Sequence, residues 1–309
     1  MNHHKLGNTD LKIAPIGLGV GGILGEKFFY EPKALHLIQT ALDNGINFLD
    51  TGSSYSHGNA ELRLGKVLSK NELDKLVIAT KGGTVLTPKN KLARNFSKES
   101  LLKNVDISLQ KLGVDRIDLF QLHSPSLKDI NDDVLDTLHE LKIRGKINYI
   151  GIACDGPVLD KAIEIALFDT VMLTYNILCQ NVENQITEAK KRGKGILIKS
   201  PMAHSLYGND IFKITTVADI WYLLRVLKNY RPEIVEGLKY RFINNIKDWT
   251  GAEIALKFVL ENPHIDCALI GTTRVNHLLA NIGVTTRDLD KLILTKIKTI
   301  GNPLAMPAK

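Results

Sequence analysis

Four residues with complementary chemistry fall at or just beyond the ends of short apolar runs. Asp50 closes Asn47-Phe-Leu-Asp50, and Tyr55 follows five residues later in a loop of Gly and Ser. Lys81 closes Leu76-Val-Ile-Ala-Thr-Lys81, and His123 closes Ile117-Asp-Leu-Phe-Gln-Leu-His123. A phenol titrates at about 10 when free. It becomes a useful proton donor near neutral pH only when positive charge nearby favours its anion. Lys81 would supply that charge, and Asp50 would keep the lysine ionised and in place. His123 would polarise or orient a bound carbonyl. Together they read as a centre for protonating a developing alkoxide. Each residue has an ordinary structural alternative: a capping Asp, a packed Tyr, a snorkelling Lys, a hydrogen-bonded His. Those alternatives serve one residue at a time, and the four together make a functional centre the better reading.

The elements that must position them follow from the hydrophobic pattern. Helical readings cover Pro32–Asp43, Asn59–Ser69, Lys98–Leu112, Asp129–Ile143, Pro157–Ala166, Glu183–Arg192 and Ala252–Leu260. Each is followed by a short apolar run: Asn47–Leu49, Leu76–Thr80, Ile117–Leu122, Ile147–Ala153, Thr170–Tyr175, Gly195–Lys199 and Cys267–Ile270. One further run, Ile16–Leu18, precedes them all. Short apolar runs between helices are what parallel strands covered on both faces look like. Eight such units favour an α/β closed barrel, the (β/α)8 TIM barrel, over an open sheet. No sharp linker interrupts the chain, so residues 1–309 are expected to form a single domain. In such a barrel the C-terminal strand ends share one rim, where Asp50, Tyr55, Lys81 and His123 would meet.

Three segments lie outside the repeat. Lys5–Pro15 reads as an N-terminal β-hairpin, a plug for one barrel end. Ser205–Thr250 is longer than a normal strand-to-helix loop. Within it Ala218–Asn229 looks helical, and Trp221, Tyr222, Tyr230, Tyr240 and Trp249 would either wall a pocket or pack an extra helix on the barrel. The C-terminal Leu289–Ile300 also reads as a helix. Gly17, Gly19 and Gly22 satisfy G-x-G-x-x-G, but no helix opens directly behind them, so the dinucleotide fingerprint is discounted. The glycines here, Gly21 and Gly22 included, suit close approach of backbone to a ligand.

Composition excludes several classes. The 309 residues are 44% hydrophobic and 24% charged, an ordinary globular balance. No apolar run approaches the roughly 18 residues of a membrane span, and no apolar stretch follows the N-terminus as a signal peptide would require. Cys154, Cys179 and Cys267 lack metal-ligand spacing and read as reduced thiols, which points to the cytoplasm and to no metal. The net charge of +7 is spread along the chain. Its densest run, Lys190-Lys-Arg-Gly-Lys194, suits a helix C-terminus better than a nucleic-acid surface. The centre above lacks a hydride source, and no P-loop, metal cluster or Ser-His-Asp set replaces one. An organic cofactor is the natural supplement.

At this point the chain resembles the aldo-keto reductases over nearly its whole length. The likeness rests on Pro15-Ile-Gly-Leu-Gly19, Asn47-Phe-Leu-Asp-Thr51 with Tyr55, Glu61 and Leu64-Gly65, and Thr80-Lys81. It continues in Leu119-Phe-Gln-Leu-His123, Gly145–Gly151, Tyr175-Asn176 and Leu269-Ile-Gly-Thr-Thr-Arg274 with Asn281. The resemblance implies a (β/α)8 barrel, nicotinamide hydride transfer to a small carbonyl substrate, Tyr55 as general acid and a monomer. It implies a cofactor bound across the rim. The expected contacts are Gly21, Gly22, Asp50, Ala153, Cys154, Lys199, Ser200 and Met202. The family's phosphate loop falls on Gly271, Thr272, Thr273 and Arg274, with His277 and Asn281 on the next helix. Arg274 facing an adenosine 2′-phosphate would favour NADP(H) over NAD(H). Three positions depart from the family. Ala153-Cys154 stands for the usual Ser-Asn or Ser-Gly and Met172 for the usual Gln, neither able to replace those side-chain hydrogen bonds. Lys199 stands for a frequent stacking Tyr. These departures suggest Asn176 as a substitute contact, and they motivate a rival reading as a nicotinamide-binding sensor with little turnover. A second rival makes Lys81 a Schiff-base nucleophile.

Overall fold

The computed structural model describes residues 1–87, 91–208 and 231–301, with isolated positions between 220 and 227. Eight parallel strands close into a barrel: Ile16–Gly19, Phe48–Asp50, Val77–Gly82, Ile117–His123, Ile147–Ala153, Thr170–Thr174, Gly195–Lys199 and Cys267–Ile270. The last pairs with the first through Ala268↔Ile16, so no barrel edge is left open. The expected (β/α)8 fold is therefore the observed one.

Alternation along each strand sorts the apolar residues into two clusters. Phe48, Val77, Ala79, Leu119, Ala153, Met172, Leu197, Cys267 and Leu269 point inward and fill the barrel. Leu49, Ile78, Phe120, Ile152, Leu173 and Ile198 point outward and pack under the helices. The N-terminal hairpin, His4–Lys5 with Lys12–Ile13, adds Leu6 and Ile13 to the inner cluster. It closes the end where the strands begin, and Asn47 ties it down by donating to Lys12 O (2.7 Å) and accepting from Ala14 N (2.9 Å). The opposite rim is left for chemistry.

Local signals set most helix ends. Ser97 accepts from Ser100 N to start Lys98–Leu112, and Gly113, at φ 69°, ends it. Thr250 and Glu253 form a reciprocal capping box at Gly251–Leu260. The helix expected from Asp129 starts at Asp132 instead: Asp129 closes a one-turn capping box with Ser126, and Asn131 caps the helix proper. Helices Val275–Gly283 and Lys291–Gly301 supply the expected C-terminal extras. A second hairpin was not expected. Thr84–Leu86 and Leu92–Arg94 form an antiparallel hairpin behind the third barrel strand. In the long interlude Tyr240 is buried, and Trp249 packs beneath the Arg287 guanidinium, 3.8 Å from its ring centroid. Both are packing residues. The helix expected over Ala218–Asn229 falls largely outside the described residues, as do Tyr222 and Tyr230.

Candidate active site

The second, third and fourth barrel strands are neighbours, and their ends bring the four expected residues together. Asp50, Lys81 and His123 all point inward at the open rim, above the apolar filling. Lys81 forms a buried ion pair with Asp50 Oδ2 and donates to Thr51 O at 2.8 Å. Its ammonium lies 4.9 Å from the centroid of the Tyr55 ring. Burial works against this charge, but Asp50 and Tyr55 outweigh it and hold Lys81 above the ordinary lysine range. Burial likewise pushes the Asp50 carboxyl upward, opposed by the charge of Lys81 and by hydrogen bonds from Lys81 and Gln121. An ammonium held that firmly keeps the pair ionised at neutral pH.

Tyr55 is set by backbone and by two glycines. Its N–H donates to Gly52 O at 2.9 Å. A Cβ at Gly21 would lie 2.6 Å from the Tyr55 ring, and one at Gly52 would lie 3.2 Å from it. Only glycine lets the ring sit between those two segments. The sequence reading gave Gly21 to a ligand; the structure shows its α-carbon face taken up by Tyr55. Gly22 adopts φ 53° and its carbonyl accepts from Ser56 Oγ at 2.8 Å. The loop around it is clasped further by Asn59 to Gly25 O (2.6 Å) and by the buried Arg63 to Phe29 O (2.7 Å). Ser56 and the next residue, His57, have φ of 49° and 60°. Ser124, Ser200, Ala203, His204 and Ser205 are also left-handed, so backbone strain gathers on this rim.

His123 meets the Tyr55 ring edge-on. Burial first, then the charges of Lys81, Lys199 and Arg94, depress its imidazole to about 3. It is neutral at physiological pH and retains one N–H to donate. Gln121, two residues before His123 and fully buried, donates to Asp50 Oδ1 at 2.9 Å. Reading the strand as an apolar run concealed it. Period-two alternation from His123 would have placed it on the same inner face.

The residues expected to hold a cofactor separate into two groups. Lys199 ends the seventh strand and Ser200 and Met202 follow it, with Lys199 paired to Asp155 at 2.7 Å. Gly271, Thr272, Thr273 and Arg274 follow the eighth strand, next to the first and its Gly21–Gly22 loop. Open space lies where a side chain on Gly271 would stand. Thr272 Oγ1 accepts from Arg274 N at 3.2 Å and tightens the turn into helix Val275–Gly283. No side chain caps that helix start. His277 is exposed on its first turn and Asn281 is buried one turn later. Uncapped amides, an arginine and a histidine at one helix N-terminus fit a nucleotide phosphate. Ala153, an expected contact, ends the fifth strand level with His123, and it and its neighbour Met172 are buried among the inward apolar side chains. Cys154, also expected, faces the outer apolar layer, where burial raises its thiol to about 12. Asn176 is engaged: it donates to Ser200 O (3.0 Å) and accepts from Leu178 N (2.9 Å), which fixes the loop and leaves its amide little to offer a ligand.

A groove of about 380 Å³ lies elsewhere, between the extra hairpin and helix Lys98–Leu112, lined by Ser53, Lys103 and Asn104 among others. It includes none of the four rim residues. Among the described residues no cluster of His, Cys, Asp and Glu could hold a metal, and no helix is long and apolar enough to cross a membrane.

Comparison with known proteins bears directly on this geometry. The aldo/keto reductase family model matches residues 15–302. An NADH-specific methylglyoxal reductase from Escherichia coli (strain K12) is 31% identical over 229 residues, covering 68% of this chain and 70% of that protein. Aldo-keto reductase YhdN of Bacillus subtilis (strain 168) is 26% identical over 317 residues, covering 97% and 93%. Among solved structures, the holo form of aldo-keto reductase AKR11C1 from Bacillus halodurans superposes with a TM-score of 0.81 at 25% identity, covering 97% of this chain and 96% of that one. The match spans the barrel, the rim and the loop after the eighth strand, and the chain accordingly belongs to the aldo/keto reductase family, oxidoreductases that work with nicotinamide cofactors.

Proposed function

We propose that this protein reduces an aldehyde or ketone to an alcohol, with NADP(H) as cofactor and Tyr55 as proton donor. The observation that carries the reading is the Tyr55 phenol beside a buried, carboxylate-held Lys81 ammonium. A bound nicotinamide supplies the hydride. A carbonyl oxygen placed between Tyr55 and His123 takes a hydrogen bond from the neutral imidazole. As negative charge grows on that oxygen, Tyr55 passes it a proton. Lys81 stabilises the phenolate left behind, and Asp50 keeps Lys81 charged and pointed at the ring. The same ion pair disfavours Schiff-base chemistry, which needs Lys81 as a free amine. The intact four-residue set also argues against a sensor without turnover.

Gly271, Thr272, Thr273, Arg274, His277 and Asn281 would hold the adenosine end and its phosphates. Lys199, Ser200, Met202 and Gly22 would lie along the rest of the cofactor. Arg274 supports NADP(H), since a guanidinium at a helix start suits a 2′-phosphate, with His277 on the same turn as a further polar partner. The printed name of the Escherichia coli relative, NADH-specific, favours the second reading, NAD(H). Titration with NADPH and with NADH, followed by nicotinamide fluorescence, separates them. Carbonyl-dependent oxidation of the bound cofactor tests the reaction itself, and binding without oxidation by any reactive aldehyde would favour the sensor. We further propose a monomer of one barrel domain acting on a small carbonyl compound in the cytoplasm. The three free cysteines suit a reducing compartment.

A further inference from the structure

The Asp50–Lys81 pair has a third member whose side chain, among the described residues, hydrogen-bonds to that pair alone. Gln121 is fully buried inside the barrel, and its Nε2 donates to Asp50 Oδ1. Lys81 takes the other oxygen, Oδ2. The orientation of the amide follows from chemistry: an ionised carboxylate only accepts, so the NH2 end must face it. The carbonyl end, Oε1, is then buried with no hydrogen-bond partner. Leaving a buried amide oxygen unpaired is unfavourable. An apolar side chain would fill the space without that cost, as Leu119 does two residues earlier and Met172 does elsewhere in the barrel. Gly151, the register partner of Gln121, leaves room for it, since a Cβ there would come 2.9 Å from Gln121 Cγ. A packing role accounts for none of this. A carboxylate held at one oxygen can swing, and the ammonium that follows it swings too. Held at both, it is pinned, and so is Lys81.

We propose that Gln121 is a positioning residue of the catalytic centre: by donating to Asp50 Oδ1 it fixes the carboxylate, and through it the Lys81 ammonium beside Tyr55. The role rests on the proposed carbonyl reduction, so its test must tell the two apart. Wild type, Tyr55→Phe, Gln121→Met and Gln121→Glu are assayed with methylglyoxal and saturating reduced nicotinamide between pH 5 and 9. Nicotinamide affinity and thermal melting are measured alongside. Gln121→Met keeps the shape and removes the donor. It is expected to lower kcat about 10- to 100-fold, with KM and nicotinamide affinity close to wild type. Gln121→Glu restores a donor only when its own carboxyl is protonated. Its kcat is expected to rise relative to wild type as pH falls, and to collapse at high pH, where two carboxylates would face each other.

A folded Gln121→Met enzyme with kcat within about two-fold of wild type overturns the positioning role while Tyr55→Phe is inactive. Should Gln121→Met not fold, a Gln121→Glu profile parallel to wild type overturns it instead. A Tyr55→Phe enzyme as active as wild type, or a wild type that binds reduced nicotinamide yet turns over no reactive aldehyde at any pH tested, removes the functional reading and the role of Gln121 with it.

Discussion

The edge of the Tyr55 ring meets the His123 imidazole at a centroid separation of 5.5 Å and an interplanar angle of 77°. The histidine is held neutral there by burial and by Lys81, Lys199 and Arg94. A neutral imidazole offers a hydrogen bond to a carbonyl without competing with Tyr55 for the proton. The ring nitrogens of His123 should therefore titrate near pH 3 and not near 6.5. NMR of the imidazole nitrogens checks this. The linkage has a definite sign. Between about 6.5 and 3 the unfolded chain binds a proton at this position and the folded chain does not, so stability falls as pH drops through that window. His123→Asn should be the less acid-sensitive protein, by on the order of 1–3 kcal/mol near pH 4. Denaturation curves at pH 4 and 7 measure it.

Gly21→Ala should damage catalysis more than folding. The added methyl would come 2.6 Å from the Tyr55 ring. The ring borders the open rim and can give way, which moves the phenol away from Lys81. A displacement of that order is expected to cost about 10²-fold in kcat. Comparing kcat and melting temperature of the variant with wild type separates the two effects. A large loss of stability with normal turnover per folded molecule would contradict this assignment.

Glu61 is buried and accepts from Thr80 Oγ1 and Ser108 Oγ, each at 2.7 Å, all on Oε1. Its other oxygen has no partner. Burial raises its pKa above the ordinary 4.5 against the pull of Ser108 and Thr80. The folded protein thus prefers the protonated acid. Stability from this group is present below pH 4.5 and is lost as pH rises through the raised value. Glu61→Gln keeps both hydroxyl bonds and removes the charge. At pH 8 it should equal or exceed wild type by about 1 kcal/mol, with no gain near pH 4. Urea denaturation at the two pH values tests the difference.

Arg274→Ala should weaken NADPH binding by about 10- to 100-fold and leave NADH binding within a few-fold of wild type. Equal losses for both cofactors would place Arg274 on the shared pyrophosphate and remove the basis for NADP(H) preference. Fluorescence titration of the variant distinguishes the outcomes.

The barrel was legible because its signals are local. Apolar strands such as Ile117–His123 and capped helices such as Lys98–Leu112 declare themselves within a few residues. Strand ends then brought Asp50, Lys81 and His123 to one rim by topology alone. What stayed hidden depends on contacts between distant segments. The packing of Gly21 against Tyr55 was not legible, because its neighbour in space lies in another loop. The pairing of Thr84–Leu86 with Leu92–Arg94 was hidden because each strand is three residues long, too short for alternation to show. Gln121 was taken for one more residue of a buried strand, since nothing in a single strand shows that Asp50 lies opposite.

The central claim is that Tyr55 gives the proton, and Tyr55→Phe tests it most directly. The variant removes one hydroxyl and leaves Lys81 paired with Asp50. Single-turnover oxidation of bound NADPH by methylglyoxal should slow by at least about 10²-fold, with cofactor affinity and melting temperature unchanged. A folded Tyr55→Phe protein that oxidises bound NADPH at the wild-type rate would contradict the account.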